Sequence, residues 1–200
     1  MTQNMAIVIL AAGASSRMGD GRDKLLEPIR GTALLRHIQD RALATHAQVV
    51  LCLPDPAHPR CSVLAEPGQR VFIPDATDGM SASIRGAIRA LDASVSSVMI
   101  LPGDMPELTE EDLLRVLQAH DGRAITRGAS QSGVPGHPVV FPRACFAALL
   151  RLTGDEGARS VLKTHPGGVT TVLLPEDHAL VDLDTPQAWE DWRSKTGVFS

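Results

Sequence analysis

The sequence predicts an α/β domain of three layers around a mostly parallel sheet, because apolar runs of strand length alternate with segments of helical period. Three observations carry this. Met5-Ala-Ile-Val-Ile-Leu10 is a continuous β-branched run of the kind buried on both faces of a sheet. Further apolar runs at 48–53 and 97–101 are separated from it by helix-patterned stretches. The first run opens into residues 10–24, a stretch of glycine, serine and arginine, and a strand that ends this way opens a site.

Within that stretch Gly13, Gly19 and Gly21 permit positive φ and close approach to the backbone, so successive amides can point at anionic oxygens. Arg17, Arg22 and Lys24 add mobile positive charge, and together they suit a triphosphate. A glycine-rich surface turn with solvated arginines is the competing interpretation. The P-loop is absent, because five residues separate Gly13 from Gly19 and Leu25 follows Lys24. A dinucleotide fingerprint starting at Gly19 would need glycine where Lys24 stands.

Thr32 is placed to cap a helix running to about His46, with Leu34, Leu35, Ile38 and Leu43 at helical spacing. Strand 48–53 is closed by Pro54 and Pro56, and 54–69 reads as a surface connection with one helical turn near 62–66. A third strand at 70–73 leads through Pro74 and Asp75 into Gly79-Met-Ser-Ala-Ser83 and a helix carrying Ile84, Ala87, Ile88 and Leu91. Glycine and serines at a helix start offer donors to a base, ribose or phosphate; Ser81 equally suits an ordinary cap. Strand 97–101 runs into Pro102-Gly-Asp-Met-Pro106. Ligands of open α/β sheets sit beyond the carboxyl ends of the strands, so Asp104 falls in the layer of the glycine loop. A carboxylate there can join an octahedral Mg²⁺ whose other ligands are phosphates, or cap its own turn.

Thr109-Glu-Glu-Asp112 has the form of a capping box opening a helix through Leu113, Leu114, Val116 and Leu117. Residues 123–126 read as a strand and 127–138 as the most flexible stretch, ending in Gly136-His137-Pro138 before strand 139–141. His137 suits a contact to a second substrate or a structural hydrogen bond. A helix over 144–152 precedes Gly154-Asp-Glu-Gly-Ala-Arg159, where Gly157 and Arg159 suit a second small anion site or a plain turn. Strands follow at 168–174 and 179–181. Thr185 then caps the last helix with Pro186 at its first position. Asp182 and Asp184 share one side of an extended segment, and Trp189 and Trp192 pack the helix onto the sheet.

Taken in order, these stretches resemble the MobA-like nucleotidyltransferases. The loop matches L-A-[AG]-G-x-S-x-R-M-G plus lysine through Leu10, Ala11, Ala12, Gly13, Ser15, Arg17, Met18, Gly19 and Lys24. Pro74, Asp75, Gly79, Met80 and Ser83 match P-D-x-x-x-G-M-x-x-S, and L-P-G-D-M-P, P-G-H-P, G-D-x-G-A-R and D-L-D-T-P follow downstream. The resemblance implies a Rossmann-like nucleotidyltransferase fold of mixed strand order. In that family two glycines after L-A go with GTP, and alanine then glycine with CTP, so Ala12-Gly13 implies CTP. It also implies a nucleotide held by Leu10, Ala11, Ala12, Gly13, Ser15, Arg17 and Lys24, together with Asp75, Gly79, Met80, Ser81 and Ser83. Arg17, Lys24 and Asp104 would act in catalysis. Mg²⁺ would bind Asp104 with Asp184 or Asp182, Asp184 being preferred. The implied acceptor is molybdopterin, contacted by His137, Gly157 and Arg159. Its phosphate, with a second pKa of about 6, attacks the α-phosphorus without needing a protein nucleophile.

At 200 residues the chain suits one domain over 1–200. A net charge of −4 with interspersed signs argues against a nucleic-acid surface, and the N-terminal apolar run is too short to span a bilayer. Cys52, Cys61 and Cys145 lack C-x-x-C spacing, which fits reduced core thiols in a cytoplasmic protein. The seven scattered histidines argue against zinc. The alternatives are GMP transfer, or CMP transfer to another phosphorylated acceptor such as an isoprenoid precursor or sugar. A silent molybdenum-cofactor carrier would be expected to have lost Lys24, Asp104 or both late aspartates. The resemblance further implies handover to a molybdenum hydroxylase, with the 127–138 stretch in the docking surface.

Overall fold

The computed structural model describes residues 4–19, 21–74 and 79–198. In chain order it contains β1 (Met5–Leu10), β2 (Pro28–Ile29), β3 (Thr32–Ala33), α1 (Leu34–Ala44), β4 (Gln48–Leu53), β5 (Gln69–Phe72) and α2 (Gly79–Ala90). There follow β6 (Ser97–Pro102), α3 (Glu110–Ala119), β7 (Ile125–Ala129), β8 (Pro135–Pro142), α4 (Phe146–Leu149), α5 (Arg159–Thr164), β9 (Val169–Leu173) and α6 (Pro186–Thr196).

Seven strands form one sheet in the order β5-β4-β1-β6-β8-β7-β9, while β2 and β3 make a separate ribbon. Within the large sheet only the pairings of β8 with β6 and β7 are antiparallel. From β1 the chain moves outward to β4 and β5, then returns to the other flank of β1 as β6. The strand order therefore reverses beside β1, where a crevice opens beyond the carboxyl ends of an α/β sheet.

Alternate residues of the central strands face opposite layers. Ile7, Ile9, Leu51, Met99 and Leu101 share a core with Leu35 and Ile38 of α1, Val116 of α3 and Trp189 of α6. Val8, Val50, Cys52, Val98 and Ile100 pack with Ile84 and Ala87 of α2 and Leu149 of α4. Both faces are covered, which is why these strands read as unbroken apolar runs. Trp189 and Trp192 meet edge to face, ring centroids 6.0 Å apart.

The expected caps at α3 and α6 form. Thr109 Oγ1 accepts the Asp112 N–H at 3.2 Å and Asp112 Oδ2 accepts the Thr109 N–H at 3.0 Å; Thr185 Oγ1 accepts the Ala188 N–H. Elsewhere tertiary contacts override the local pattern. Thr32 is not the cap of α1: it pairs with Ile29, and the N–H groups of Leu34 and Leu35 donate to the carbonyls of Glu27 and Leu25. The helical turn expected near 62–66 is a 3₁₀ turn at Pro59–Val63, started by proline. Residues 127–138 form a closed β-hairpin rather than a loose loop, because Ser130 accepts from Gly133 and Val134. The helix expected over 144–152 is a 3₁₀ turn followed by the short α4. Residues 179–181 are not a strand; the N–H groups of Leu180 and Val181 both donate to the Asp177 carbonyl. Among the described residues no helix is long and apolar enough to cross a membrane. Cys52 and Cys145 are buried and Cys61 half-buried, all three as free thiols.

A candidate nucleotide site at the carboxyl ends of β1 and β6

Two backbone bonds bring the site together. The Gly103 N–H donates to the Leu10 carbonyl at 3.1 Å, joining the glycine loop to the turn after β6. The Leu183 N–H donates to the Asp104 carbonyl at 3.1 Å, laying the 182–184 segment beside that turn. A cavity of about 590 Å³ opens over the join. Its walls include Leu10, Ala11, Ala12, Gly13, Arg17 and Lys24 from the loop, Gly79, Met80 and Ser83 from α2, and Asp104.

Charge pairs dominate the cavity's edge. Lys24 Nζ lies 2.5 Å from Asp104 Oδ2 and also donates to Asp184 Oδ1, while Arg17 bonds Asp184 Oδ2 at 2.6 Å. Burial disfavours the charged form of Lys24, but the charges and hydrogen bonds of Asp104 and Asp184 outweigh it and hold its pKa above the usual lysine value. Arg22 pairs with Glu27 at 2.8 Å, so all three cations that the sequence aligns with a triphosphate rest on carboxylates. Asp182 is exposed beside them; the desolvation it does undergo, then the charges of Asp184 and Asp104, push its pKa up. Among the described residues no three acidic, histidine or cysteine side chains form a ready-made metal cluster; Asp104 and Asp184 converge as a pair on one positive charge.

Beneath the loop lies a residue that the sequence does not single out. Arg60, 1% exposed, donates to the carbonyls of Ala11 at 2.7 Å and Gly13 at 2.8 Å, to Ser15 Oγ at 2.9 Å and to both Asp23 oxygens at 2.7 Å. Burial alone would raise the Asp23 carboxyl, but Arg60, the Leu25 N–H and the Ser15 hydroxyl together hold it below the usual range. Ser15, expected at the nucleotide, therefore has its hydroxyl engaged under the loop, where it also donates to Asp23 at 3.0 Å. Arg60 sits in a proline-rich connection without periodicity, and its partners include main-chain carbonyls that any sequence presents. Only the acidic Asp23 within the quoted loop hinted at a buried cation.

At the start of α2, Gly79 has φ +61°, and a Cβ there would fall 1.6 Å from Asp155 Oδ1. Gly157, at φ +55°, packs against the Met80 sulfur, so the 154–157 turn closes on the α2 start. Ser81 lies inside α2, wholly buried, so it is no cap, and its hydroxyl has no partner among the described residues. Asp75 lies outside the described residues.

His137 enters from the start of β8, where its N–H donates to the Ala179 carbonyl at 2.8 Å. Burial, with the positive charges of Arg127 and Arg159 against the opposing pull of Asp104, pushes its pKa down to about 4. The imidazole is neutral near pH 7. His137, Arg127 and Arg159 thus stand close enough to feel one another, with Arg159 exposed at the start of α5.

Over residues 7–169 the sequence matches the MobA-like NTP transferase domain. PucB of Bacillus subtilis, named as a purine catabolism protein, is 30% identical over 195 residues, covering 92% of this chain and 93% of that protein. Rv0371c from Mycobacterium tuberculosis H37Rv superimposes with a TM-score of 0.80 at 27% identity, over 98% of this chain and all of that one. A manganese complex of Rv0371C superimposes with a TM-score of 0.79 at 24% identity, covering 94% and 97% of the two chains. By sequence match and by architecture, the chain belongs to the MobA-like NTP transferase family, with the Rossmann-like fold of the nucleotidyltransferases.

Proposed function

We propose that the protein transfers CMP from CTP to the terminal phosphate of molybdopterin and releases pyrophosphate. The observation that carries this reading is the convergence of Lys24, Arg17, Asp104 and Asp184 at the edge of a cavity walled by a glycine loop and the start of α2. That combination handles phosphates and a divalent cation; it contains no nucleophile poised to form a covalent intermediate. A phosphate acceptor requires none, because catalysis then rests on alignment and charge neutralisation.

The donor set suits a hard divalent cation. Asp104 and Asp184 would hold it through carboxylate oxygens that already share one positive charge, a donor set that suits Mg²⁺, which takes one or two carboxylates alongside phosphates and waters. When bound, the cation draws charge from the transferring phosphoryl group. The protein's own part is binding and orientation. Loop amides receive the phosphates, Lys24 balances charge between the two carboxylates, and Arg17, 70% exposed, is free to swing from Asp184 to the nucleotide. Arg127 and Arg159 near His137 offer positive charge to the acceptor's phosphate, and the neutral imidazole offers a hydrogen bond. The manganese complex of the Mycobacterium tuberculosis relative supports a divalent cation.

Ala12 borders the cavity and supports the choice of CTP, because the alanine-then-glycine form goes with CTP in the family the loop resembles. The purine-catabolism name of PucB supports the acceptor, since ring hydroxylation of purines is chemistry suited to molybdenum hydroxylases. The test is mass-spectrometric detection of product after incubation with molybdopterin, Mg²⁺ and either CTP or GTP. Cytidylated molybdopterin is the expected product. Guanylated product would overturn the base assignment, and no nucleotide adduct with either would overturn the acceptor.

A further inference from the structure

We propose that Arg60 is a positioning residue that turns the amides of the glycine loop into a pyrophosphate-binding surface. This rests on the nucleotidyl-transfer reading of the cavity, and extends it to a residue that cannot itself reach the ligand.

Arg60 pins the carbonyls of Ala11 and Gly13 from inside the protein. Neither of the two following peptide bonds is cis, and in a planar trans peptide the N–H points opposite to the C=O. The N–H groups of Ala12 and Ala14 therefore face away from Arg60. Ala12, Gly13 and Ala14 line the cavity that Arg60 does not touch. Two donors, two residues apart and aimed from one stretch of backbone, form a concave anion site.

The support for this posture is rigid. The planar guanidinium spans two carbonyls, the Ser15 hydroxyl and both oxygens of Asp23, so the loop is braced at 11, 13, 15 and 23 at once. Met18, 2% exposed, anchors the far side of the loop in the core. A lysine could keep the charge but not the fork, and would leave carbonyls unpaired. Donors fixed before the ligand arrives bind it without the cost of ordering a glycine-rich segment.

The experiment measures binding of inorganic pyrophosphate, CTP and cytidine by calorimetry to the wild type and to Arg60→Lys. The expected result is weakening of pyrophosphate and CTP by about tenfold or more, with cytidine little changed. Unchanged pyrophosphate affinity in a folded Arg60→Lys would overturn the proposal, and so would an equal loss of cytidine. Should the variant not fold, amide resonances of the wild type decide: those of Ala12 and Ala14 shift on adding pyrophosphate, and their failure to respond would overturn the proposal. Pyrophosphate binding at these amides without CMP transfer would leave the role of Arg60 standing and remove only the functional reading.

Discussion

Lys24 Nζ stands 2.5 Å from Asp104 Oδ2, a contact across eighty residues of chain, and the same ammonium reaches Asp184 a further eighty residues on. One cation thus holds two carboxylates that would otherwise repel. Replacing Lys24 with methionine is expected to lower kcat by about 100-fold, comparable to removing one preorganised donor elsewhere. It should also make thermal stability depend more steeply on Mg²⁺ than in the wild type, because an added divalent ion takes over the neutralising role. Melting curves across a Mg²⁺ titration check this; parallel curves for the two proteins would refute it.

Asp23 is the sole carboxylate against the buried Arg60 guanidinium among the described residues. Asp23→Ala strands that charge, and the expected loss of stability is about 3–5 kcal/mol, read from urea midpoints at pH 7. The folded pKa of Asp23 is lowered, so its stabilising contribution is complete above the ordinary carboxylate pKa and drains away as pH falls through the lowered value. A variant that lost less than about 1 kcal/mol would show that the pair is of little consequence.

For His137 the sign is also acidic. Its folded pKa is about 4, against an ordinary 6.5, so between those values the unfolded chain binds a proton that the folded chain refuses. Stability therefore declines as pH drops from about 6.5 towards 4, and His137→Gln should flatten that slope. Denaturant titrations at pH 7, 6 and 5 measure it. Equal slopes in both proteins would mean that the imidazole titrates normally.

Gly79→Ala places a methyl group in strained backbone at φ +61° and against Asp155. The expected cost is about 1–3 kcal/mol, with KM for CTP raised and the double variant with Asp155→Ala recovering only part. An unchanged KM in the single variant would separate the α2 start from nucleotide binding.

The legibility of the fold tracks how local its causes are. β1, β4 and β6 are buried on both faces and announce themselves as apolar runs, and the α3 and α6 caps are set by residues three apart. The start of α1 was hidden because its amides are satisfied by carbonyls of Leu25 and Glu27. The 127–138 hairpin was hidden because serine and glycine serve tight turns as readily as loose loops. At the site, motifs mark the loop, Asp104 and Asp184, but their meeting on Lys24 spans 160 residues and has no sequence pattern. Arg60 is illegible in the sequence for the same reason: its partners lie 37 to 49 residues away and include main-chain carbonyls.

The most direct test is pyrophosphate release with CTP, Mg²⁺ and molybdopterin by the wild type and by Asp104→Ala. The expected result is acceptor-dependent release in the wild type and loss of about 100-fold or more in the variant, with the fold intact. Undiminished release by Asp104→Ala would contradict a site centred on the Lys24–Asp104–Asp184 cluster.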